Sequence, residues 1–386
     1  MNAASDAQLV SVLLPTFNRA DLIGQAIDSV LAQTHPRFEL IVIDDGSTDT
    51  TAAVVSAYGD KLIYKKVENG GKAAALNVGL GLARGEFIFV LDDDDLALPT
   101  ALERLVAALD ANPDAGLVYS SYYRGLSDKK GHIYKRDLFV VPDVHAEDVF
   151  PRLLTSMFFT QQGSLVRSHC YREVGDFDPA MKRAQDYEML LRLTHRFQAV
   201  RIPEPTVVIR THEGARGPAS ERFAARDRMM RGWSYTTRLY EKLNESLDLV
   251  EYLPRSATIG SSASSLRREA LFKRISVMLR KGVWEPALTD LQEIMQGPIA
   301  NGPLSPTEIT ACEASFRNPP TVLSLAGNAA VRKRLDRLLS GSREVARHFA
   351  RGAYWAAGEM RNDGELRLAM TIYLAVVRIQ FRILLP

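Results

Sequence analysis

The 386-residue sequence predicts an α/β protein: a mostly parallel sheet with helices on both faces, followed by a C-terminal all-helical region. Three observations carry that prediction. Short apolar runs alternate with stretches of helical periodicity through the first third of the chain. The runs are continuous rather than alternating, as strands buried on both faces require. Beyond Gly214 the strand pattern stops and helical periodicity takes over.

Each element has its own warrant. "LVSVLL" (9 to 14), bounded by Pro15, reads as a buried strand. Leu22, Ile23, Ala26, Ile27, Val30 and Leu31 then recur at helical spacing, with Asn18 as the expected cap, Asp21 favoured by the helix dipole and Pro36 beyond the end. "FELIVIDD" (38 to 45) is a second strand, followed by a helix through "TAAVVSAY" for which Ser47 or Thr48 is the expected cap. "KLIYKKV" is a third strand, "KAAALNVGLGLA" a third helix and "EFIFVL" (86 to 91) a fourth strand. A helix from about Pro99 to Ala111 and the strand "GLVYSSYY" follow.

Composition is that of a soluble globular chain, 46% hydrophobic and 24% charged. A net charge of +2 says nothing by itself about nucleic acid or membranes, and no nucleic-acid partner is expected. The charge is uneven, because residues 331 to 386 hold 11 Lys and Arg against 5 Asp and Glu. Two distant cysteines, Cys170 and Cys312, indicate neither a disulfide framework nor a zinc site. The start "MNAASDAQLVSV" has no basic segment before an apolar run, so no secretory signal is expected and the expected location is cytoplasmic. The uncharged stretch Leu368 to Val377 is half the roughly 20 residues that a membrane span needs.

In an open parallel sheet, ligands bind at the carboxyl ends of the strands. Three strands end there in polar groups: Pro15, Thr16, Phe17 and Asn18 after the first, Asp44 and Asp45 after the second, and Asp92, Asp93, Asp94 and Asp95 after the fourth. Four consecutive anions repel one another unless a cation compensates. A divalent metal is the simplest compensation, and alternate residues of an extended "DDD" segment would point the same way. A solvated acidic turn is the bland alternative. It fits poorly with a run continuous with a buried strand.

The segments "VSVLLPTFNRADLI", "IVIDDGSTDTT", "GGKAAALNVGLGLARGEFIFVLDDDD" and "VGDFDPAMKRAQDYEMLLRL" together resemble the successive motifs of family 2 glycosyltransferases, over roughly residues 9 to 215. The resemblance implies the Rossmann-like GT-A fold and an inverting, metal-dependent transfer from a nucleotide-sugar, with UDP the commonest nucleotide and Mn²⁺ or Mg²⁺ the cofactor. It implies that Pro15, Thr16, Phe17, Asn18, Arg19 and Asp45 contact the nucleotide base and ribose, and that Lys72 lies near the nucleotide. Asp92 and Asp94 match the DxD pair, Asp94 being the favoured metal contact, and Asp93 would face the sugar. Asp186 matches the general base, although Gln185 stands where relatives often carry Glu. His212, at the end of "VVIRTHEG", would approach the metal or the diphosphate. Capping alone would explain Asn18, and local hydrogen bonds would explain a lone histidine. Gln161, Gln162 and Ser164 would line the acceptor side.

The expected domains are the transferase core (1–215), a helical extension (216–253), a linker with "PRSATIGSSASS" at its heart (254–266) and a C-terminal helical domain (267–386). "LFKRISVMLRKGVWEPALTDLQEIM" reads as two antiparallel helices joined at Lys281 to Trp284, a unit that cannot bury its apolar face alone. Self-association through this region is therefore one expectation. The tail from Leu366, with Arg367, Arg378 and Arg382 among apolar residues, is either a helix docked on its own domain or a peripheral contact with the cytoplasmic membrane face. No QxxRW signature of processive synthases is present, so one sugar per binding event is expected, passed to a saccharide or lipid-linked hydroxyl in surface polysaccharide or glycoconjugate synthesis. The competing functions are a nucleotidyltransferase, a haloacid-dehalogenase-type phosphatase and a non-catalytic nucleotide-binding scaffold. Neither GxGxxG nor GxxxxGK[ST] occurs, which speaks against hydride transfer and P-loop chemistry.

Overall fold

The computed structural model describes residues 8–128, 131–211, 225–258, 262–297, 302–362 and 370. The chain divides into two compact units, residues 1–222 and 223–386.

The first unit is built on a nine-stranded sheet. β1 (Val10–Thr16), β2 (Phe38–Asp44), β3 (Ile63–Lys66) and β4 (Phe87–Val90) pair in the order β3-β2-β1-β4, all parallel. β1, β4 and the last five residues of β2 are buried, with Val12, Leu13, Leu14, Val42 and Ile43 fully covered, whereas the edge strand β3 is largely exposed. α1 (Ile23–Leu31), α2 (Thr51–Ser56) and α3 (Lys72–Leu82) are the intervening crossovers. α1 buries Ile23, Ala26, Ile27 and Val30. Each large apolar side chain so buried contributes roughly 1.5–3 kcal/mol over leaving it exposed.

Beyond β4 the sheet is mixed. β8 (Ser164–Arg167) lies antiparallel between β4 and β6 (Ala115–Ser127), and β9 (Gln198–Thr211) runs parallel to β6. The two-residue β5 (Leu96–Ala97) pairs with β9, and β7 (Ile133–Phe139) forms a hairpin with the outer half of β6. α4 (Ala101–Asp110), α5 (Val149–Thr155), α6 (Ser168–Val174) and α7 (Gln185–Arg196) complete the unit.

Two capping expectations are corrected. α1 starts at Ile23 with Leu22 as its cap, and Asn18 lies four residues upstream with φ 52°. Its side-chain oxygen accepts from the N–H groups of Thr48 (2.8 Å) and Asp49 (3.3 Å), so it joins the β1 loop to the β2 loop instead. The cap of α2 is Thr50, while the Ser47 hydroxyl accepts from Asn18 N–H at 2.9 Å.

The second unit is helical: α8 (Ala225–Ser246), α9 (Ala263–Lys281), α10 (Trp284–Gln296), α11 (Pro306–Phe316), α12 (Pro319–Gly327), α13 (Ala329–Leu339) and α14 (Arg343–Asn362). Ser262 caps α9, so the stretch read as linker is helix from Ala263 onward. α9 and α10 turn at Gly282 (φ 78°), and Arg274 makes a bidentate pair with the buried Asp290 at 2.7 and 2.6 Å. The apolar face that this hairpin cannot bury alone is covered by α11 and α12 along α9 and by α13 along α10. α14 crosses α11 at Gly352, where an added Cβ would collide with the Glu313 carbonyl oxygen.

Candidate active site

β1, β2 and β4 deliver the predicted residues to one edge of the sheet. Thr16 and Asp44 are register partners, and the Asp45 N–H donates to the Thr16 carbonyl at 2.8 Å. Pro15 and Thr16 are buried within β1, which leaves Phe17, Asn18 and Arg19 as the part of that segment that meets solvent. Asp44 is spoken for structurally, accepting from Ser47 N–H (2.7 Å) and the Tyr64 hydroxyl (2.6 Å).

Asp45 holds the loop in front of α3. Its carboxylate accepts from the N–H groups of Gly70 (2.8 Å) and Gly71 (2.9 Å), and Gly71 takes φ 91°, a conformation open chiefly to glycine. Burial pushes Asp45 above the ordinary carboxylate value, against the pull of the two glycine N–H groups and Lys182. α3 starts at Lys72, whose ammonium forms an ion pair with Asp92. Burial disfavours that charge, but Asp92 and then Asp186 outweigh it and hold the lysine more firmly protonated than a free one.

The acidic run is a turn rather than an extended strand end. The Asp95 N–H donates to the Asp92 carbonyl at 3.1 Å, and this curls the chain so that carboxylate oxygens of Asp92, Asp94 and Asp95 lie within 4.8 Å of one another. The expected alternation therefore fails, and Asp95 joins the pair that sequence reasoning singled out. Asp92 also accepts from the Gln162 amide at 2.7 Å, which places Gln162 on the carboxylate cluster. Asp93 accepts weakly from Phe17 N–H (3.4 Å) and lies 3.6 Å from the Arg19 guanidinium, which also stands 3.8 Å from Asp94. Burial first, then the charge of Asp94, pushes Asp93 up to about 7, with Arg19 opposing. Asp95 accepts from the Arg210 N–H at 2.8 Å. Burial holds the Arg210 guanidinium below its usual value, against the pull of Asp94 and Asp95.

Asp186 stands in the first turn of α7, half-buried, with one carboxylate oxygen accepting from Tyr187 N–H at 2.8 Å. The helix dipole favours an anion there. Three devices fix the segment that leads to it. Asn77 of α3 donates its amide to the Phe177 carbonyl (2.9 Å) and accepts from the Phe177 N–H (2.8 Å). Arg192 donates to the carbonyls of Val174, Gly175 and Asp176. Lys182 donates to the Gly70 carbonyl at 3.1 Å, tying the segment to the loop that Asp45 holds. Ala184, just before the helix, takes φ 60°, a left-handed conformation costing a non-glycine residue ~1–2 kcal/mol.

Lys72, Asp92, Asp93, Asp94, Arg19 and Asp186 thus belong to one electrostatic cluster, with Asp45 one loop away. His212 lies outside the described residues. Arg19 also lines a neighbouring cleft of about 1040 Å³, bordered by Asn18, Asp49, Leu126, Asp128 and Tyr134. Asn77 was not foreseen; its only sequence signal is a lone amide within the small and apolar residues of α3.

A carboxylate cluster at the carboxyl edge of a parallel half-sheet, flanked by a lysine and an arginine, is the arrangement expected of a GT-A fold. Residues 11–175 match the model of glycosyl transferase family 2. An uncharacterised glycosyltransferase of Rickettsia typhi is 37% identical over 190 residues, covering 47% of this chain and 57% of that one. The glycosyltransferase GlyG of Streptococcus pneumoniae is 31% identical over 132 residues, covering 33% and 43%. The chain thus spans about half the length of these curated relatives. Among solved structures, S. aureus TarS 1–349 in complex with UDP-GlcNAc superposes with a TM-score of 0.50 at 16% identity, covering 92% of each chain. That likeness concerns the fold. Among the described residues no helix is long and apolar enough to cross a membrane.

Proposed function

We propose that the protein is a metal-dependent, inverting glycosyltransferase of the hexosyl, non-processive type, moving one sugar from a UDP-linked donor to a hydroxyl of a saccharide or lipid-linked acceptor. The observation that carries this is the convergence of Asp92, Asp94 and Asp95 beside Lys72, with Asp186 close enough to act on the same ammonium.

The donor set fits a hard divalent cation: oxygen ligands only, clustered and largely buried. Asp94 and Asp95, with Asp92, would hold Mn²⁺ or Mg²⁺, with Asp94, the second carboxylate of the DxD pair, as the favoured contact. When bound, such an ion supplies positive charge to the leaving nucleoside diphosphate. Phe17, Asn18 and Arg19 bind the nucleoside from the β1 side, and Asp45 acts by holding the Gly70–Gly71 loop against it. Asp93 faces the sugar. Asp186 accepts the proton of the acceptor hydroxyl at the carboxylate oxygen that Tyr187 N–H does not occupy, a contribution usually worth about 10²–10⁴ in rate. The displacement is single and needs no covalent intermediate. Surface polysaccharide or glycoconjugate synthesis is the setting in which such a transfer serves, and the basic tail beyond Leu366 would keep the enzyme at the cytoplasmic membrane face.

The test is release of free UDP from a panel of UDP-sugars with and without Mn²⁺, alongside Asp94→Ala and Asp186→Ala. Metal-dependent release from one donor, lost in Asp94→Ala, supports the reading and names the sugar. If no donor turns over and calorimetry finds no metal-dependent binding of UDP, GDP or dTDP, the core is a scaffold and the proposal falls.

A further inference from the structure

The helical unit carries a surface that the transferase reading does not use. α14 is amphipathic in an unusual way. Its inner face, with Val345, Ala346, Phe349, Ala353 and Ala356, is buried, and Phe349 meets Phe316 of α11 edge-on at 5.2 Å. Its outer face carries Arg343, Arg347, Arg351 and Trp355 at four-residue spacing, all exposed. Arg361, also exposed, lies eighteen residues from Arg343. That separation is five full turns, which returns it to the same face. The row extends along a helix of 20 residues, about 30 Å.

Among the described residues, little neutralises this row. Arg351 lies 3.8 Å from Glu313, whose carboxylate also serves Arg317 and His348 at 3.0 Å each. Glu344 and Glu359 are the only acids on α14, both half-buried. Trp355 is 50% exposed, with the Arg317 guanidinium 5.7 Å from its ring. Arginines beside a half-exposed tryptophan match the boundary of an anionic bilayer, where the guanidinium meets phosphate and the indole sits at headgroup depth. Beyond the last turn, the sequence repeats the chemistry: Arg367, Arg378 and Arg382 around the uncharged run Leu368 to Val377.

We infer that the outer face of α14 is a docking surface for a membrane bearing anionic phospholipids. A soluble polyanion would satisfy the arginines but gives no role to an indole held at the edge of the row, which is why the bilayer is the favoured occupant. The inference is independent of the catalytic reading.

The test is co-sedimentation of the full chain with vesicles of phosphatidylcholine alone and of phosphatidylcholine mixed with phosphatidylglycerol, in low and high salt. The mixed vesicles should bind the protein, salt should release it, and the double variant R343E/R347E should bind at least about tenfold more weakly with an unchanged thermal midpoint. Trp355→Ala should weaken binding at unchanged salt dependence. A second variant, R367E/R378E/R382E, separates the tail from the helix. The inference is overturned if R343E/R347E binds like the parent, if only the tail variant loses binding, or if heparin retains the protein while vesicles do not.

Discussion

Asn77 links the fold to the proposed chemistry, and its replacement is the sharpest test of how Asp186 is placed. Asn77→Ala removes both bonds to Phe177, at 2.9 and 2.8 Å. Phe177 is 1% exposed, so its N–H and carbonyl would lose their partners with little access to water. Each orphaned backbone group costs about 1–3 kcal/mol, and partial relaxation of the loop brings the expected loss to about 2–3 kcal/mol in all. The loop that relaxes is the one that delivers Asp186, and a displacement of about 1 Å at a catalytic group costs up to ~10²-fold in rate. Asn77→Asp should behave similarly, because a carboxylate still accepts from the Phe177 N–H but faces its carbonyl without a hydrogen to give. Urea unfolding and steady-state kinetics with the competent donor measure both effects. The expected result is reduced stability, kcat lowered by about two orders of magnitude and a donor KM within a few-fold of the parent, since Lys72 and Asp45 keep their own anchors. If kcat falls only as far as the unfolded fraction explains, or donor KM rises as much as kcat falls, Asn77 does not position the base.

Two glycines of α14 should respond oppositely to alanine. Gly352→Ala drives a Cβ into the Glu313 carbonyl oxygen and should cost more than ~3 kcal/mol by forcing α11 and α14 apart, whereas Gly358→Ala, with nothing within 4 Å, should gain ~0.5–1 kcal/mol. Thermal unfolding of the two variants decides it, and equal midpoints would contradict the close crossing. Arg274→Met strands the buried Asp290 carboxylate and should lower stability by ~3–5 kcal/mol in denaturant titration; a loss under ~1 kcal/mol would mean that water reaches Asp290. Glu313 is held below 4.5 by the hydrogen bond to His348, with Arg317 and Arg351 adding to it. Its contribution is fully present above 4.5 and fades as pH falls through the lowered folded value. The thermal midpoints of the parent and Glu313→Gln should therefore converge in acid, and a gap independent of pH would refute the linkage.

The first half of the sheet was legible because a strand buried on both faces is largely apolar, as β4 and the centres of β1 and β2 are. The second half was not, since the insertion of β8 between β4 and β6 rests on pairings such as Ile88 with Val166 and Val118 with Leu165, which no local pattern encodes. The same distinction runs through the site. The convergence of β1, β2 and β4 ends followed from topology alone. Asn18 defeated the local reading because capping logic examines the next turn of helix, while its actual partners, Thr48 and Asp49, lie 30 and 31 residues on. Asp95 was passed over because its approach to Asp92 depends on a turn hydrogen bond, and Asn77 because Phe177 is 100 residues away. In the helical unit the α9–α10 turn was legible as a break at Lys281 to Trp284 between two apolar-periodic runs, and it falls at Gly282. The α11–α14 crossing rests on Gly352 meeting a backbone atom of another helix, which composition does not reveal.

The charges explain why this edge is built as it is. Four carboxylates follow β4, and the cations set against them are shared or indirect. Arg19 divides itself between Asp93 and Asp94 at 3.6 and 3.8 Å, Lys72 is drawn to both Asp92 and Asp186, and Arg210 meets Asp95 through its backbone N–H while its guanidinium feels Asp94 and Asp95. Even so, burial and then the charge of Asp94 push the Asp93 carboxyl up to about 7, with Arg19 opposing. On the proposed reading a divalent cation among these carboxylates would favour their ionised forms, whereas a diphosphate alone would be repelled by them, so the residues that follow β4 are suited to a ligand that brings cation and anion together.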